Sequence, residues 1–232
     1  MSNHGGVHQL QRLSLIDDWN EYIFKNPCAA ATAGKVKTKL GVDFVVASAE
    51  VREVEVEVKE ASTGEQGTLR VQVKQLLGSD YHVLSGSLGV GAVVWDAGDV
   101  MGKFITKFDW LVKGKTVIDL GSGTGIAGII AGVAGAREVY LTDHESLREL
   151  CMHNVRETLQ AVEEYKGEGY REIAQRVQNI KFEEFWWGGG IPQKIRQSMT
   201  WGDEHFDIIL ASDDLYDKGK FSSLPCKFLL LL

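Results

Sequence analysis

The sequence predicts an α/β fold, in which a parallel sheet carries helices on its faces, and two observations lead to this prediction. First, the apolar run 117–120 leads into a turn with three alternating glycines, a helix of small and apolar residues, and a second apolar strand at 139–142. This order is a βαβ unit, whose strands are expected to be parallel and whose crossover is expected to be right-handed. Second, residues 206–211 form another apolar strand that ends in polar residues, as strands buried in a parallel sheet do.

Length and composition indicate one well-buried domain with a small extension, because the chain has 232 residues of which 44% are hydrophobic. We expect a partly disordered N-terminal segment at 1–50, a β-hairpin extension at 51–87 and the main domain at 88–232. The N-terminus lacks a basic segment followed by an apolar core, and no apolar run reaches the length of a membrane span. A cytoplasmic protein is therefore expected, with the nucleus as the alternative.

Charge and cysteine content argue against several classes of partner. The net charge of −7 and the lack of a Lys/Arg-rich run argue against a nucleic-acid partner. The three cysteines, Cys28, Cys151 and Cys226, are scattered and form no CxxC pair, so neither a disulfide framework nor a metal site is expected. We expect a monomer that binds neither nucleic acid nor membrane.

The stretch that begins at residue 51 has the two-residue period of a β-hairpin with one apolar face. Valines at 54, 56 and 58 alternate with glutamates at 53, 55 and 57, and the alternation resumes at 69–73 after a polar turn. The acidic face is expected to be solvated, although it would also suit a basic partner. A third short strand is predicted at 81–84, and a short helix at 13–24.

A helix with one apolar face is predicted to begin near Trp95, directly after the glycine-rich run 88–92. The tryptophan has two alternative roles at this point. It packs in the core, as most single aromatic residues do, or it covers a flat ligand next to the glycine-rich run.

The glycine loop at 121–125 is the strongest local signal for a ligand. Glycines at 121, 123 and 125 allow a sharp turn and let a ligand touch the main chain. Dinucleotide-binding loops have glycines at the first, third and sixth positions, whereas here they occupy the first, third and fifth, and no P-loop lysine is present. Asp119 lies two residues before the first glycine.

Asp143 ends the next predicted strand, where an acidic residue accepts hydrogen bonds from ribose hydroxyls in nucleotide-binding sheets. It would equally serve as the N-cap of the helix predicted from about residue 146, and the two roles are compatible. Polar residues also follow the strands at 179–182 and 206–211. The carboxyl ends of the parallel strands are therefore expected to form the binding edge.

The pattern Asp-x-Gly-x-Gly-x-Gly, with a second acid after the next strand, resembles the class I, seven-β-strand S-adenosylmethionine-dependent methyltransferases. Together with residues 88–97, Trp187-Gly188 and the stretch 212–216, it is similar to the methyltransferase-like protein-lysine methyltransferases. Known members of that family modify Hsp70-type chaperones, translation elongation factor 1-alpha and a AAA-type ATPase. The resemblance covers about residues 68–221.

The resemblance implies a Rossmann-like methyltransferase sheet, S-adenosylmethionine as the cofactor and a protein as the substrate. In that family the tryptophan matching Trp95 packs in the cofactor site, the first two loop glycines pass the methionine part, and the acid matching Asp143 holds the ribose. The residue matching Trp187 lies beside the adenine, and the one matching Ser212 lies near the sulfonium. The implied cofactor-binding residues are Trp95, Asp119, Gly121, Ser122, Gly123, Gly125, Asp143, Trp187 and Ser212.

The stretch from Asp213 to Tyr216 matches the family's Asp-x-x-Tyr signature, which implies a site for the acceptor lysine. Methyl transfer from a sulfonium mainly requires that a nitrogen lone pair is aligned with the methyl carbon and that water is excluded. A lysine, whose unperturbed pKa is about 10.4, must first lose a proton. We expect Asp213 and Tyr216 to position the lysine and to help in this deprotonation. The alternative is that Asp213 caps a turn and Tyr216 packs.

The region after the fourth strand of the sheet departs from the family pattern. A seven-stranded sheet needs three more strands, whereas only residues 218–232 follow, so the sheet is expected to be incomplete at its C-terminus. Protein-lysine methyl transfer is the leading functional interpretation. The alternatives are a small-molecule methyltransferase and a catalytically impaired remnant that binds the cofactor or a partner protein.

Overall fold

The computed structural model describes residues 51–59, 66–75, 89–165, 169–186, 192–198 and 206–212. The predicted helix at 13–24 and the predicted strand at 81–84 lie outside these residues, as does the stretch from residue 213 onward. Within the described part of the chain, no helix is long and apolar enough to cross a membrane.

Two strands, β1 (Val51–Lys59) and β2 (Gln66–Lys74), pair antiparallel along their whole length. Alternate side chains on one face are buried, among them Val54, Val56 and Val71, because successive residues of a strand point to opposite faces. The glutamates of β1 lie on the other face and are exposed. The buried face joins the same hydrophobic cluster as the helices of the main sheet, so the hairpin packs directly on the α/β core.

Within the described residues, four strands form a parallel sheet: β3 (Thr116–Leu120), β4 (Glu138–Asp143), β5 (Ile180–Glu184) and β6 (Ile208–Ala211). Their spatial order is β5-β4-β3-β6, and every neighbouring pair is parallel. This arrangement confirms the predicted α/β fold. The chain builds the sheet outward from β3 to β5 and then returns to the other side of β3. Such a reversal opens a crevice at the carboxyl ends of the strands.

The described residues include five α-helices: α1 (Asp96–Lys107), α2 (Ile126–Ala134), α3 (Arg148–Tyr165), α4 (Tyr170–Gln178) and α5 (Gln193–Ser198). Helix α2 is buried on almost every side, as its small and apolar residues predict. Glycine lets it approach the sheet closely, because a Cβ added at Gly128 would lie 2.2 Å from Leu141 Cδ2 of β4.

The two faces of the sheet carry separate hydrophobic clusters. Val117 and Val139 belong to the cluster that contains the apolar side chains of the hairpin and of helices α1 to α4. Ile118 and Tyr140, one residue further along their strands, belong to the cluster on the opposite face, where Ile195 of α5 completes the packing. The alternation along each strand thus fills both faces of the sheet.

Candidate functional site

The glycine loop joins β3 to α2 at the carboxyl edge of the sheet. Gly121, Gly123 and Gly125 have φ angles of 62°, 55° and 87°, in the left-handed region that favours glycine. The turn is closed by a hydrogen bond of 2.7 Å from Gly125 N to Ser122 O. Ser122 N donates to the Thr142 carbonyl at 2.9 Å, which ties the loop to β4. The backbone conformation therefore requires the glycine spacing that the sequence shows.

A second glycine-rich segment, the 3-10 turn Gly89–Ala92, packs against the loop. A Cβ added at Gly123 would lie 2.8 Å from the Gly91 carbonyl oxygen, so the two backbones touch with no space for a side chain. Gly91 also packs on Leu147, whose Cδ1 would lie 2.4 Å from a Cβ added at Gly91. Glycine is used here for close approach, and the contact brings the segment before Trp95 next to the loop.

Asp143 is the last residue of β4 and is partly exposed. Its Oδ2 accepts a hydrogen bond from Gly123 N at 2.8 Å, and its Oδ1 accepts one from His144 N at 2.7 Å. The N-cap of the following 3-10 turn is His144, whose Nδ1 accepts from Ser146 N at 3.2 Å. Asp143 is therefore not the N-cap, which was one of its two predicted roles. The carboxylate of Asp143 therefore lies at the carboxyl edge of the sheet, bonded to the glycine loop.

Asp119 lies in the interior of β3 and is 1% exposed. Its Oδ2 accepts a hydrogen bond from Gly128 N of α2 at 2.9 Å, while its Oδ1 is buried without a hydrogen-bond partner among the described residues. Burial raises the pKa of Asp119 to about 7. The hydrogen bond from Gly128 opposes this rise in pKa, and the negative charge of Asp143 adds to it. The side chain therefore links β3 to the first turn of α2.

Cys151 of α3 lies under the same loop. The residue is fully buried, and its Sγ lies 3.9 Å from Ser122 Oγ. Burial raises the pKa of this thiol, and the hydrogen bond with Ser122 opposes the rise only in part. Because a nucleophilic cysteine needs an accessible thiolate, Cys151 serves here in packing. Ser122 remains partly exposed in the loop.

Trp95 and Ser212 approach the loop from the β6 side. Trp95 is partly buried and directly precedes α1, and its carbonyl accepts hydrogen bonds from Gly98 N at 3.0 Å and Asp99 N at 3.2 Å. A Cβ added at Gly98 would lie 3.1 Å from Ile126 Cγ2 and 3.8 Å from Ser212 Oγ. The first turns of α1 and α2 and the end of β6 therefore meet beside the loop.

Two aromatic residues that the sequence analysis did not select lie beside Asp143. Trp186, which is 59% exposed, packs edge-on against His144 with ring centroids 4.5 Å apart, and its Nε1 donates to Glu184 Oε1 at 2.9 Å. Phe185 N donates to the Asp143 carbonyl at 3.0 Å, which holds the segment after β5 against the end of β4. The sequence signal for Trp186 was the pair of tryptophans at 186 and 187, directly after β5. Consecutive side chains of an extended chain point in opposite directions, so either tryptophan could have been the one beside the site.

The structure gathers those predicted site residues that it describes at the carboxyl ends of β3, β4 and β6. Trp187, Asp213 and Tyr216 lie outside the described residues, so their roles stay predictions. No group of three or more potential metal ligands occurs in the part of the chain that the structure describes. The described edge suits a nucleoside-like ligand, with main-chain contacts at the loop, a carboxylate for hydroxyls and aromatic rings nearby.

A family model described as lysine methyltransferase matches residues 83–230. Protein N-lysine methyltransferase METTL21A of Danio rerio is 34% identical over 137 residues, which cover 59% of this chain and 53% of that protein. Protein N-terminal and lysine N-methyltransferase efm7 of Schizosaccharomyces pombe is 28% identical, over 58% of this chain and 48% of that protein. The chain spans about half the length of these curated relatives.

A third relative carries a different acceptor residue in its name. The histidine protein methyltransferase 1 homolog of Rattus norvegicus is 26% identical, over 91% of this chain and 59% of that protein. Among solved structures, protein arginine methyltransferase 10 of Arabidopsis thaliana matches at 21% identity, over 56% of this chain and 27% of that chain. The TM-score of this match is 0.30.

Proposed function

This chain belongs to the lysine methyltransferase family, and we propose that it transfers a methyl group from S-adenosylmethionine to a lysine side chain of a protein substrate. Family membership confirms the resemblance that the sequence motifs indicated and, with it, S-adenosylmethionine as the cofactor. The observation that carries the proposal is the hydrogen bond from Gly123 N to Asp143 Oδ2. It joins the glycine loop to the acid of the next strand, which are the two features that a nucleoside-binding edge needs.

The residues at this edge fit the proposed cofactor. Gly121 and Gly123 present main chain without side chains, so the amino-acid part of the cofactor can lie against the loop. We assign the partly exposed carboxylate of Asp143 to the ribose hydroxyls. Trp95 and Ser212 border the β6 side, where the family pattern places the sulfonium. When bound, S-adenosylmethionine supplies a methyl group on a positively charged sulfur.

The acceptor end of the site rests on Asp213 and Tyr216, which we assign to the substrate lysine. The carboxylate holds the lysine ammonium by charge, and the tyrosine hydroxyl fixes its direction. Loss of water around the lysine lowers its pKa, because desolvation disfavours the charged form. The resemblance makes a chaperone, an elongation factor or a AAA-type ATPase the first substrates to examine.

The acceptor residue needs a direct test, because the names of the relatives include lysine, the N-terminal amine and histidine. All three are nitrogen nucleophiles, so the glycine loop and Asp143 serve each of them equally. Identification of the methylated residue by mass spectrometry therefore decides the lysine assignment, independently of cofactor binding.

Calorimetric titration with S-adenosylmethionine, followed by labelled-methyl transfer in a cytosolic lysate, tests the proposal. The cytosolic fraction is chosen because we propose a cytoplasmic location. We expect saturable binding and label on a lysine of one or a few proteins. Binding without transfer would favour a catalytically impaired remnant, label in small molecules would favour a small-molecule methyltransferase, and failure to bind would contradict the proposal.

Asp213→Asn is the matched variant for the catalytic assignment. It keeps the shape of the side chain and removes its charge, so we expect cofactor binding to persist while transfer falls about a hundredfold. Full transfer by Asp213→Asn would remove Asp213 from the reaction without affecting the assignment of the cofactor edge.

A further inference from the structure

Asn154 of α3 joins the hairpin to the glycine loop. It is completely buried. Its Oδ1 accepts a hydrogen bond from Lys74 N at 2.8 Å, while its Nδ2 donates to Lys74 O at 3.2 Å and to Thr124 O at 2.9 Å. Lys74 is the last residue of β2, and Thr124 lies between the second and third glycines of the loop. One side chain therefore connects two segments that are far apart in the sequence.

The bonding pattern at Asn154 requires an amide side chain. The backbone N–H and C=O of Lys74 need one acceptor and one donor, and the Thr124 carbonyl needs a second donor. Asparagine offers one acceptor oxygen and two N–H donors at the end of a short side chain, which matches these three groups. A residue without this set would leave backbone groups without partners in a buried region, which is unfavourable.

Gln75 makes a second connection from the same end of the hairpin. It is 2% exposed, and its Oε1 accepts a hydrogen bond from Val94 N at 2.8 Å. Val94 directly precedes Trp95, the N-cap residue of α1. The end of β2 is thus bonded, through Asn154 and Gln75, to both the glycine loop and the segment that carries Trp95.

We propose that Asn154 is a positioning residue for cofactor binding, which fixes the glycine loop at Thr124 and couples it to the end of the hairpin. The inference rests on the proposed function, because it takes the loop as a cofactor contact. Asn154 acts through the Thr124 carbonyl and not on the ligand. Binding of the cofactor and ordering of the end of β2 are therefore linked, and thermodynamic linkage makes this coupling reciprocal.

The variant Asn154→Asp removes the two N–H donor contacts of this bridge and keeps its acceptor contact. It keeps the oxygen that accepts from Lys74 N, but it places a second oxygen against the carbonyls of Lys74 and Thr124. At about pH 8 we expect about tenfold weaker binding of S-adenosylhomocysteine, because the loop loses its buried hydrogen bond at the Thr124 carbonyl. At about pH 6 the carboxyl is more often neutral and can donate again, because burial raises the pKa of an acid, so the difference from wild type should narrow. Calorimetric titrations of both chains at both pH values measure this.

Thr158→Val is the matched control for Asn154→Asp. Thr158 is also buried in α3, and its Oγ1 donates to the Asn154 carbonyl within the helix at 2.9 Å. Its substitution should lower the melting temperature and change the Kd by no more than about twofold. Wild-type affinity in Asn154→Asp at about pH 8, or an equal loss of affinity in the control, would overturn the inference. A wild-type chain that does not bind S-adenosylhomocysteine would contradict the proposed function, and the inference with it.

Hydrogen exchange in the wild-type chain decides the case in which Asn154→Asp does not fold. Saturating S-adenosylhomocysteine should slow exchange of the Lys74 amide by at least about threefold, since this amide donates to Asn154 Oδ1. The amides of α4 serve as the internal reference. Protection of the glycine loop with no change at Lys74 would overturn the inference.

Discussion

Asp119 and Asp143 lie near the ends of neighbouring strands, but their surroundings differ. The register places Asp119 opposite Leu141, so both carboxylates point to the same face of the sheet, and Asp143 is two residues, about 7 Å, nearer the edge. Asp119, the inner carboxylate, is 1% exposed and accepts a hydrogen bond from Gly128 N. Asp143, the outer carboxylate, is partly exposed and accepts one from Gly123 N. An offset of two residues in the register thus separates a carboxylate that links β3 to α2 from a partly exposed one, to which we assign the ribose.

The largest expected effect concerns the contribution of Asp119 to the free energy of unfolding. The unfolded Asp119 titrates near its ordinary pKa of 3.8 and the folded one near 7, because burial disfavours the charged form. The folded state therefore binds more protons between these values. The stability that this group contributes is fully present below about pH 4 and is lost as the pH rises to about 7, a change of about 4 kcal/mol.

Asp119→Asn removes this titration, while its amide oxygen can still accept from Gly128 N. The free energy of unfolding of the variant should therefore rise relative to that of the wild type by up to about 4 kcal/mol between about pH 4 and pH 8. Urea unfolding of both chains across this pH range measures the difference, in which the other titrating groups cancel. A difference that does not change with pH would contradict the buried position of this carboxylate.

The next effect concerns Gly123, whose N–H connects the loop to the outer carboxylate. Gly123→Ala combines an unfavourable positive φ with a contact of 2.8 Å to Gly91 O, and we expect a loss of about 2–3 kcal/mol in the free energy of unfolding. Gly114→Ala is the matched control, because Gly114 has a φ of 72° with nothing within 4 Å of an added Cβ. That control should lose about 1 kcal/mol. Equal losses in urea unfolding would show that the contact with the 3-10 turn is unimportant.

Cofactor binding distinguishes the two carboxylates most clearly. Asp143→Asn weakens the acceptor for ribose hydroxyls, and we expect about ten- to thirtyfold weaker binding of S-adenosylhomocysteine. Asp119→Asn should change the affinity by no more than about threefold, because its side chain is enclosed between β3 and α2. Calorimetric titration of the two variants at one pH measures both effects. Equal losses at the two positions would remove the distinction between them.

The smallest effect concerns Trp186, which packs against His144 beside Asp143. Trp186→Ala removes the neighbour of the His144 ring, and we expect about threefold weaker binding of S-adenosylhomocysteine. Trp110→Ala is the matched control, since Trp110 is also about half exposed but lies in the 3-10 turn before β3. The same titration should show wild-type affinity for the control. A loss in both variants would indicate a general effect of removing a surface tryptophan.

Local sequence signals predicted the order of the elements and the glycine loop. A few consecutive residues are enough to recognise an apolar run of strand length or a turn that needs glycine. The βαβ unit around residues 117–142 could therefore be predicted. Both acids were predicted to bind the cofactor, and only Asp143 was assigned to the ribose. How deeply each carboxylate is buried could not be predicted, since this burial depends on how closely α2 packs on the sheet through Gly128.

Contacts between distant segments were beyond local signals. The bridge from Lys74 through Asn154 to Thr124 depends on where the hairpin packs on α3. No short sequence pattern predicts that packing position. The contact of Trp186 with His144 likewise depends on the pairing of β4 with β5. Such side chains become recognisable once the sheet order is known.

The most direct test of the distinction between the two carboxylates is a crystal structure of this chain with S-adenosylhomocysteine. We expect a ribose hydroxyl within about 3 Å of the Asp143 carboxylate. We also expect Asp119 to keep its hydrogen bond from Gly128 N and to make no contact with the ligand. A ribose bound away from Asp143, or a ligand atom hydrogen-bonded to Asp119, would contradict this distinction.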